Sequence, residues 1–571
     1  MAGIFEEESY FGFKSLDLFQ FAVMNPQIAM LAYLRVGEKM ASQPDKIEAS
    51  QRDLIDRLWK LQVSFFKNLC ASLDSKNNSE PQKINGEAFA DNPVIIFAHD
   101  LYETMSKWML DSLNNFNDID PFLMNSAKFF MKQYIDMMAP ENFPLLNPRV
   151  LRETIDTGGE NFRKGLQMLL SDMNNGAITT NDRTQFQIGR NIAITPGKVI
   201  FQNNFIELIQ YSPSTPQVFE KPILFIPPWI NKFYILDLKP ESSFVKWSVD
   251  RGFTVFMISW VNPDKRYRDK GFEDYVSEGL FAALDKIFEA TELKSIHTVG
   301  YCVGGTMMAC VLAYLASPLC KRRPRMKISS ATLLTTLLDY EHAGDMAIFM
   351  AENYLDAIKA QMGNSGILDG SVLYNTFSAL KAKDMIWRYF VNSYMLGQKP
   401  VAHEILFWNS DPANLTSAMQ TFLAHDLYRD NLLKTGTLKI FGVPIDLKLV
   451  KTPLYMISMI KDHLVPWRAT FDSMKLFGDN MKFVLGGSGH VAGVINAPAK
   501  NKYCYWTNSE NPPTAQQWFD TAFQSSGSWW NDWLGWIEPM SGSKIDAPRV
   551  AYAIRDAPGI YVNNYTPEIL Q

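Results

Sequence analysis

The chain has 571 residues, is 47% hydrophobic and 20% charged, and carries a formal net charge of −5. That length exceeds an ordinary single domain, so several packed layers and at least two regions are expected. The acidic balance argues against a nucleic-acid partner, whose phosphates need a basic face. Five scattered cysteines, Cys70, Cys302, Cys310, Cys320 and Cys504, form no CxxC pair and show no metal-ligand spacing. They imply a reduced, cytosolic protein without disulfides or structural zinc. The acidic start, residues 1–9, lacks the basic and apolar regions of a secretion signal, and no run of about 18 apolar residues predicts a membrane span.

Residues 1–180 read as a mainly helical domain. Leu54, Leu58, Leu61, Phe65, Leu69 and Leu73 recur at steps of three and four, which makes one amphipathic helix; Phe97, Leu101, Met105 and Trp108 mark a second. Nothing there is catalytic by residue type, so a packing or dimerisation role is expected. A polar stretch, 75–83, reads as a mobile connection.

From about 181 the period changes. Phe205–Tyr211, Pro222–Ile226, Phe253–Trp260, Ile296–Val299, Ala331–Leu338, Leu454–Ile460 and Met481–Leu485 are short runs rich in β-branched and aromatic residues, mostly separated by helix-length segments. This predicts an α/β fold with a mostly parallel sheet covered by helices on both faces. The long interval between Leu338 and Leu454 reads as a cap inserted at about 340–450, above the carboxyl ends of the strands where open sheets bind ligands. Its aromatic clusters, Ile386–Phe390 and Ile405–Asn409, fit a lid with an apolar underside.

The chemistry centres on Gly300-Tyr-Cys-Val-Gly304, between a short apolar strand and an Ala- and Leu-rich helix. This is the nucleophile elbow of an α/β-hydrolase with Cys302 in the place of serine. Gly300 and Gly304 let strand and helix approach, and the helix N-terminus with the N–H of Val303 favours a thiolate and an oxyanion. A thiol needs a base, and the base an orienting acid. His490 stands on a glycine loop after the last strand, read at Met481–Leu485, and Asp462 follows the strand before it; the order Cys, Asp, His is that of this fold. Asp462 as a mere turn cap, His463 as the functional group, and Asp339 as the acid remain alternatives. His297, on the strand before the elbow, reads as a core histidine. The second oxyanion donor is placed at Trp229 or Ile230, because Pro227 and Pro228 have no N–H. The basic run 321–325 precedes a strand and reads as a solvated loop on the edge opposite the site.

Several blocks in order resemble the class I poly(3-hydroxyalkanoate) synthases: Gly300–Thr306, Phe225–Asp237, Phe407–Asp411, Asp462–Trp467, Gly489–Asn496 and Gly527–Trp530. The likeness runs from about Pro140 to Val562 and is weak before residue 140. It implies that Cys302 carries the acyl chain, that His490 is the general base, and that Asp462 is its partner. It further implies a homodimer at the surface of cytoplasmic polyester granules with their associated proteins, an (R)-3-hydroxyacyl-CoA substrate, a growing polyester product, and no cofactor, coenzyme A being only the leaving group. A cytosolic Cys-type acyl-CoA thioesterase on the same scaffold is the alternative, since fold and triad alone do not choose the acceptor.

Overall fold

The computed structural model describes residues 26–564 except 74–81, 85–86, 90–91, 117, 479, 511 and 551–552. The acidic start and most of the polar connection at 75–83 lie outside the described residues. The chain divides into two compact units, one holding the described residues up to Asp182 together with Asn375–Val401, the other Arg183–Tyr374 and Ala402 onward.

In the first unit the helices are α1 Pro26–Ala41, α2 Pro44–Leu73, α3 Pro93–Asn114, α4 Pro121–Met137, α5 Pro148–Asp156 and α6 Glu160–Asn175. Asn92, Asp120 and Asn147 each precede a proline and accept a hydrogen bond from an N–H of the first turn, which fixes the starts of α3, α4 and α5. In α2 the predicted stripe Leu54, Leu58, Leu61, Phe65 and Leu69 is the covered face, with Phe65 against Phe97 of α3 at 4.7 Å. The other side of α2 is also apolar but exposed, at Ile55, Trp59 and Phe66. The segment Asn375–Val401 joins this unit through Val391, Met395 and Leu396, which pack with Val150 of α5.

The second unit is built on an eleven-stranded sheet. Its strands are β1 Gly197–Gln202, β2 Ile206–Tyr211, β3 Ile223–Ile226, β4 Val255–Trp260, β5 Ser295–Tyr301, β6 Lys327–Leu334, β7 Leu454–Met459, β8 Met481–Gly486, β9 Cys504–Thr507, β10 Phe523–Ser526 and β11 Arg555–Asp556. They lie in the order β10-β9-β8-β7-β6-β5-β3-β4-β2-β1-β11. The central strands β8, β7, β6, β5, β3 and β4 are parallel, and antiparallel strands extend both edges.

Three sequence readings need correction. The apolar run after Ala331 is strand only to Leu334; at Thr335 the backbone turns to φ 43, and Leu337 and Leu338 continue as buried loop. Met481–Gly486 is not the last strand, because β9 and β10 follow it. Phe407 and Trp408, expected beneath a lid, belong to the main core, where the Trp408 indole donates to the Lys232 carbonyl at 2.7 Å.

Parallel register decides where chemistry can occur. Gly300 of β5 pairs with Ile226 of β3, Tyr301 with Leu334 of β6, Leu334 with Ile457 of β7, and Met459 with Gly486 of β8. The carboxyl ends of five strands are thus level. The loops leaving them carry Trp229 and Ile230, Cys302, Asp339, Asp462 and His490 to one edge of the sheet.

Candidate active site

Cys302 follows β5 directly and caps helix α7, Val303–Ala316, with φ 54 and ψ −123. A non-glycine residue holds that conformation only when its surroundings impose it. Here the Cys302 N–H donates to the Leu334 carbonyl at 2.9 Å, and the Cys302 carbonyl accepts from Gly305 N at 2.9 Å, starting the helix. A Cβ on Gly304 would lie 2.3 Å from the Ile226 carbonyl oxygen, so only glycine permits this packing of α7 against β3. The thiol is left partly accessible at the helix N-terminus.

His490 is buried within hydrogen-bond reach of Cys302. Its Nδ1–H donates to Asp462 Oδ2 at 2.6 Å, which leaves Nε2 for the thiol. Burial pushes the imidazole down, but the charge and hydrogen bond of Asp462, with a further contribution from Cys302, outweigh this and hold it up to about 10. Asp462 does two jobs: Oδ1 accepts the N–H groups of Leu464 and Val465, both at 2.9 Å, while Oδ2 holds His490. Asp462 thus caps the following turn and also holds His490, so it is more than a turn cap. Asp339 is committed elsewhere, accepting from Glu341 N at 3.0 Å and Asn431 Nδ2 at 2.8 Å and pairing with Lys434 at 2.8 Å. Burial raises its carboxyl, but Lys434 and Asn431 prevail and hold it below the usual range. His463 lies next to Asp462 in sequence and is not the group bonded to His490.

The other thiols and histidines differ in environment. Burial pushes the Cys310 thiol up to about 12, which keeps it inert near neutral pH. His297 is fully buried, with Ser330 Oγ 2.7 Å from Nδ1 and Ser541 Oγ 3.2 Å from Nε2; burial, aided by Lys221, holds it down to about 4. The basic run 321–325 precedes β6, and Arg325 reaches Asp285 through its N–H and Glu289 through its guanidinium. Of the proposed oxyanion donors, Val303 opens α7, while Trp229 and Ile230 are buried in the loop after β3. Trp229 packs its ring against Phe272 and Tyr275 and leaves its indole N–H unpartnered.

Sequence reasoning missed three supports of the site. Tyr301 lies with its ring nearly parallel to His490, centroids 5.6 Å apart at 26°. Its place beside Cys302 was visible, but which ring it would meet was not. The loop after His490 is clamped by indole N–H bonds, Trp529 to the Gly493 carbonyl at 3.0 Å and Trp530 to the Val494 carbonyl at 2.9 Å. The paired tryptophans of Gly527–Trp530 were the available signal. Tyr340 after β6 and Tyr428 in Phe422–Arg429 meet edge to face at 4.7 Å, and burial, with Cys302 contributing, keeps both phenols protonated. No pattern marked Tyr428.

A thiol on an elbow, beside a histidine paired with an aspartate, is equipped for acyl transfer through a covalent thioester. Known proteins place the chain more narrowly. Residues 80–248 match the family described as the poly-beta-hydroxybutyrate polymerase (PhaC) N-terminus, and residues 221–497 match the alpha/beta hydrolase fold. The chain is 38% identical over 540 residues to the poly(3-hydroxyalkanoate) polymerase subunit PhaC of Rhizobium meliloti, covering 92% of this chain and 87% of that protein. It is 37% identical over 540 residues to the poly(3-hydroxyalkanoate) polymerase of Methylorubrum extorquens, with coverage of 92% and 88%. Against the PhaC subunit of Cupriavidus necator it is 38% identical over 492 residues, with coverage of 84% and 82%. With an α/β-hydrolase core and this extent of likeness, the chain belongs to the poly(3-hydroxyalkanoate) polymerase family.

Proposed function

We propose that the protein polymerises (R)-3-hydroxyacyl groups from their coenzyme A thioesters and releases coenzyme A, with Cys302, His490 and Asp462 as its catalytic residues. As an enzyme of the polymerase family it is an acyltransferase. The observation that carries the mechanism is His490 between Asp462 at 2.6 Å and Cys302 on a strained elbow.

His490 takes the Cys302 proton, and the thiolate attacks the thioester carbonyl. The oxyanion receives the N–H of Val303 and a second donor from Trp229 or Ile230. Coenzyme A leaves with the proton that His490 returns. One thioester replaces another, so loading changes free energy little and the acyl group stays activated. Asp462 stabilises the imidazolium in each half-reaction. In the second, His490 takes the proton of the 3-hydroxyl of a bound hydroxyacyl unit as that oxygen attacks the acyl-enzyme carbonyl; the Cys302–acyl bond breaks, the sulfur leaves with the proton returned by His490, and the polyester is one unit longer. No cofactor takes part, since coenzyme A is the leaving group. We assign the first unit to homodimer contacts and to the surface of cytoplasmic polyester granules with their associated proteins. The apolar side chains it exposes, Trp59, Leu145 and Ile155 among them, support that assignment. Among the described residues no helix is long and apolar enough to cross a membrane.

The test adds (R)-3-hydroxybutyryl-CoA and follows free coenzyme A, turbidity and free 3-hydroxy acid together. Wild type should release coenzyme A and build turbidity with little free acid, and Cys302→Ala should lose both signals while keeping its fold. One free acid per coenzyme A with no polymer would establish the thioesterase reading instead.

A further inference from the structure

Tyr301 is the last residue of β5 and the immediate neighbour of Cys302, yet its side chain turns back into the core, where it is 1% exposed. Its ring belongs to the cluster that also contains Met459, Val494 and Trp529, so it has no freedom to swing away. The hydroxyl is buried and makes no hydrogen bond. Losing a hydroxyl's partners costs stability; what this residue offers the site is its ring face. That face lies against the imidazole of His490, centroids 5.6 Å apart and planes at 26°.

We infer that Tyr301 is a positioning residue for the thiol–imidazole pair: its ring fixes the plane of His490 and favours the imidazolium over neutral imidazole. This rests on the triad reading above and names a fourth member of that site. The physical cause is the ring quadrupole, whose negative face attracts a cation centred within about 6 Å, most strongly where water is excluded. Asp462 fixes the ring at Nδ1 and can act as a hinge; a flat surface beneath the imidazole removes the remaining rotation, so Nε2 stays aimed at the sulfur. The groups facing His490 are Asp462 from the loop after β7, Cys302 from the elbow and Tyr301 from β5. Tyr340 and Tyr428 lie around the thiol as protonated phenols, and His463 adjoins Asp462. Tyr301 differs from them in presenting an apolar face to the imidazole.

The test measures the rate of Cys302 alkylation by iodoacetamide against pH, read by mass spectrometry of the Cys302 peptide, in full-length wild type, Tyr301→Phe, Tyr301→Leu and Tyr301→Met. This readout needs no polymerisation. Tyr301→Phe should keep the wild-type profile, because it keeps the ring. Tyr301→Leu should move the midpoint up by roughly one pH unit, since losing a desolvated ring-face interaction with the imidazolium disfavours the ion pair by about that much. Tyr301→Met fills similar volume with a flexible chain and serves if the leucine variant does not fold. A profile unchanged in the folded leucine or methionine variant, or a shift in Tyr301→Phe as large as theirs, overturns the inference while leaving the triad intact. If wild-type Cys302 shows no reactivity beyond that of an exposed thiol, the triad reading and this inference fall together.

Discussion

Two aspartates at comparable strand ends show how single atoms decide a role. Asp462 and Asp339 both follow central parallel strands, both are mostly buried, and both accept backbone N–H groups of the next turn. The difference lies in the remaining oxygen. Oδ2 of Asp462 meets His490, whereas Oδ2 of Asp339 meets Lys434. Asp462→Asn would replace that acceptor with an amide, removing the charge that stabilises the imidazolium. Turnover should fall on the order of 10²- to 10⁴-fold, as in other triads. Asp339→Asn keeps the shape of its turn and loses only a partly exposed ion pair, so coenzyme A release should change by less than about tenfold. Steady-state rates of the two variants decide the assignment, and a reversal of the two effects would move the acid to Asp339.

At the scale of elements, the elbow was legible because it is local: a strand, a tight corner with small neighbours and a helix are all contained in Ser295–Ala316. Its central constraint is long-range, since the neighbour of Gly304 is the carbonyl of Ile226 on another strand. Gly304→Ala should cost about 1–3 kcal/mol, because neither backbone can yield as a flexible side chain would. Denaturant midpoints would record the loss, and turnover should fall with it as Cys302 is displaced; a variant as stable as wild type would mean that helix and strand part freely. Elements misread in sequence failed for a related reason. The run Thr335–Leu338 is as apolar as a strand, but Thr335 turns and donates its N–H to Ile457 O at 2.8 Å, so apolarity there reports burial and not extension. Strand β10 was missed because an edge strand is half-solvated and needs no continuous apolar run: Phe523 is exposed, and Gln524 and Ser526 are polar. Strand β9, paired on both sides, is only four residues long and half-buried, too short to stand out as a run. His490 and Asp462 were legible because β7 and β8 are buried strands with sharp ends. The tryptophans that clamp the His490 loop carried no readable address, since an indole N–H does not announce which carbonyl it will meet.

At the scale of the whole chain, the segment Asn375–Val401 illustrates what no local pattern can reveal. It lies inside the interval read as a single cap, yet it packs with helices more than 200 positions earlier. Asn161 Nδ2 donates to the Met395 carbonyl at 2.7 Å, and the Tyr394 hydroxyl donates to Asp172 at 2.7 Å, where Thr179 also binds. The close approach depends on Gly165 of α6. A Cβ there would sit 1.9 Å from the Tyr394 carbonyl oxygen and 2.5 Å from its carbon, inside any permitted contact and against backbone, not a side chain that could turn aside. Gly165→Ala adds intrinsic helix propensity, which taken alone would stabilise α6 by up to about 1 kcal/mol. Overpacking by two rigid backbones costs about 1–3 kcal/mol or more, so the balance is destabilising. Because the contact holds this segment to α5 and α6, the loss should appear there and not in the sheet. Hydrogen exchange of Gly165→Ala should therefore speed up in 375–401 and 148–175 while β5 to β8 keep their protection. Tyr394→Phe, which removes one hydrogen bond to the buried Asp172 carboxylate without adding volume, should loosen the same segment by a smaller amount. Exchange in 375–401 that stays at the wild-type rate in Gly165→Ala would show that the segment is held by contacts other than this one.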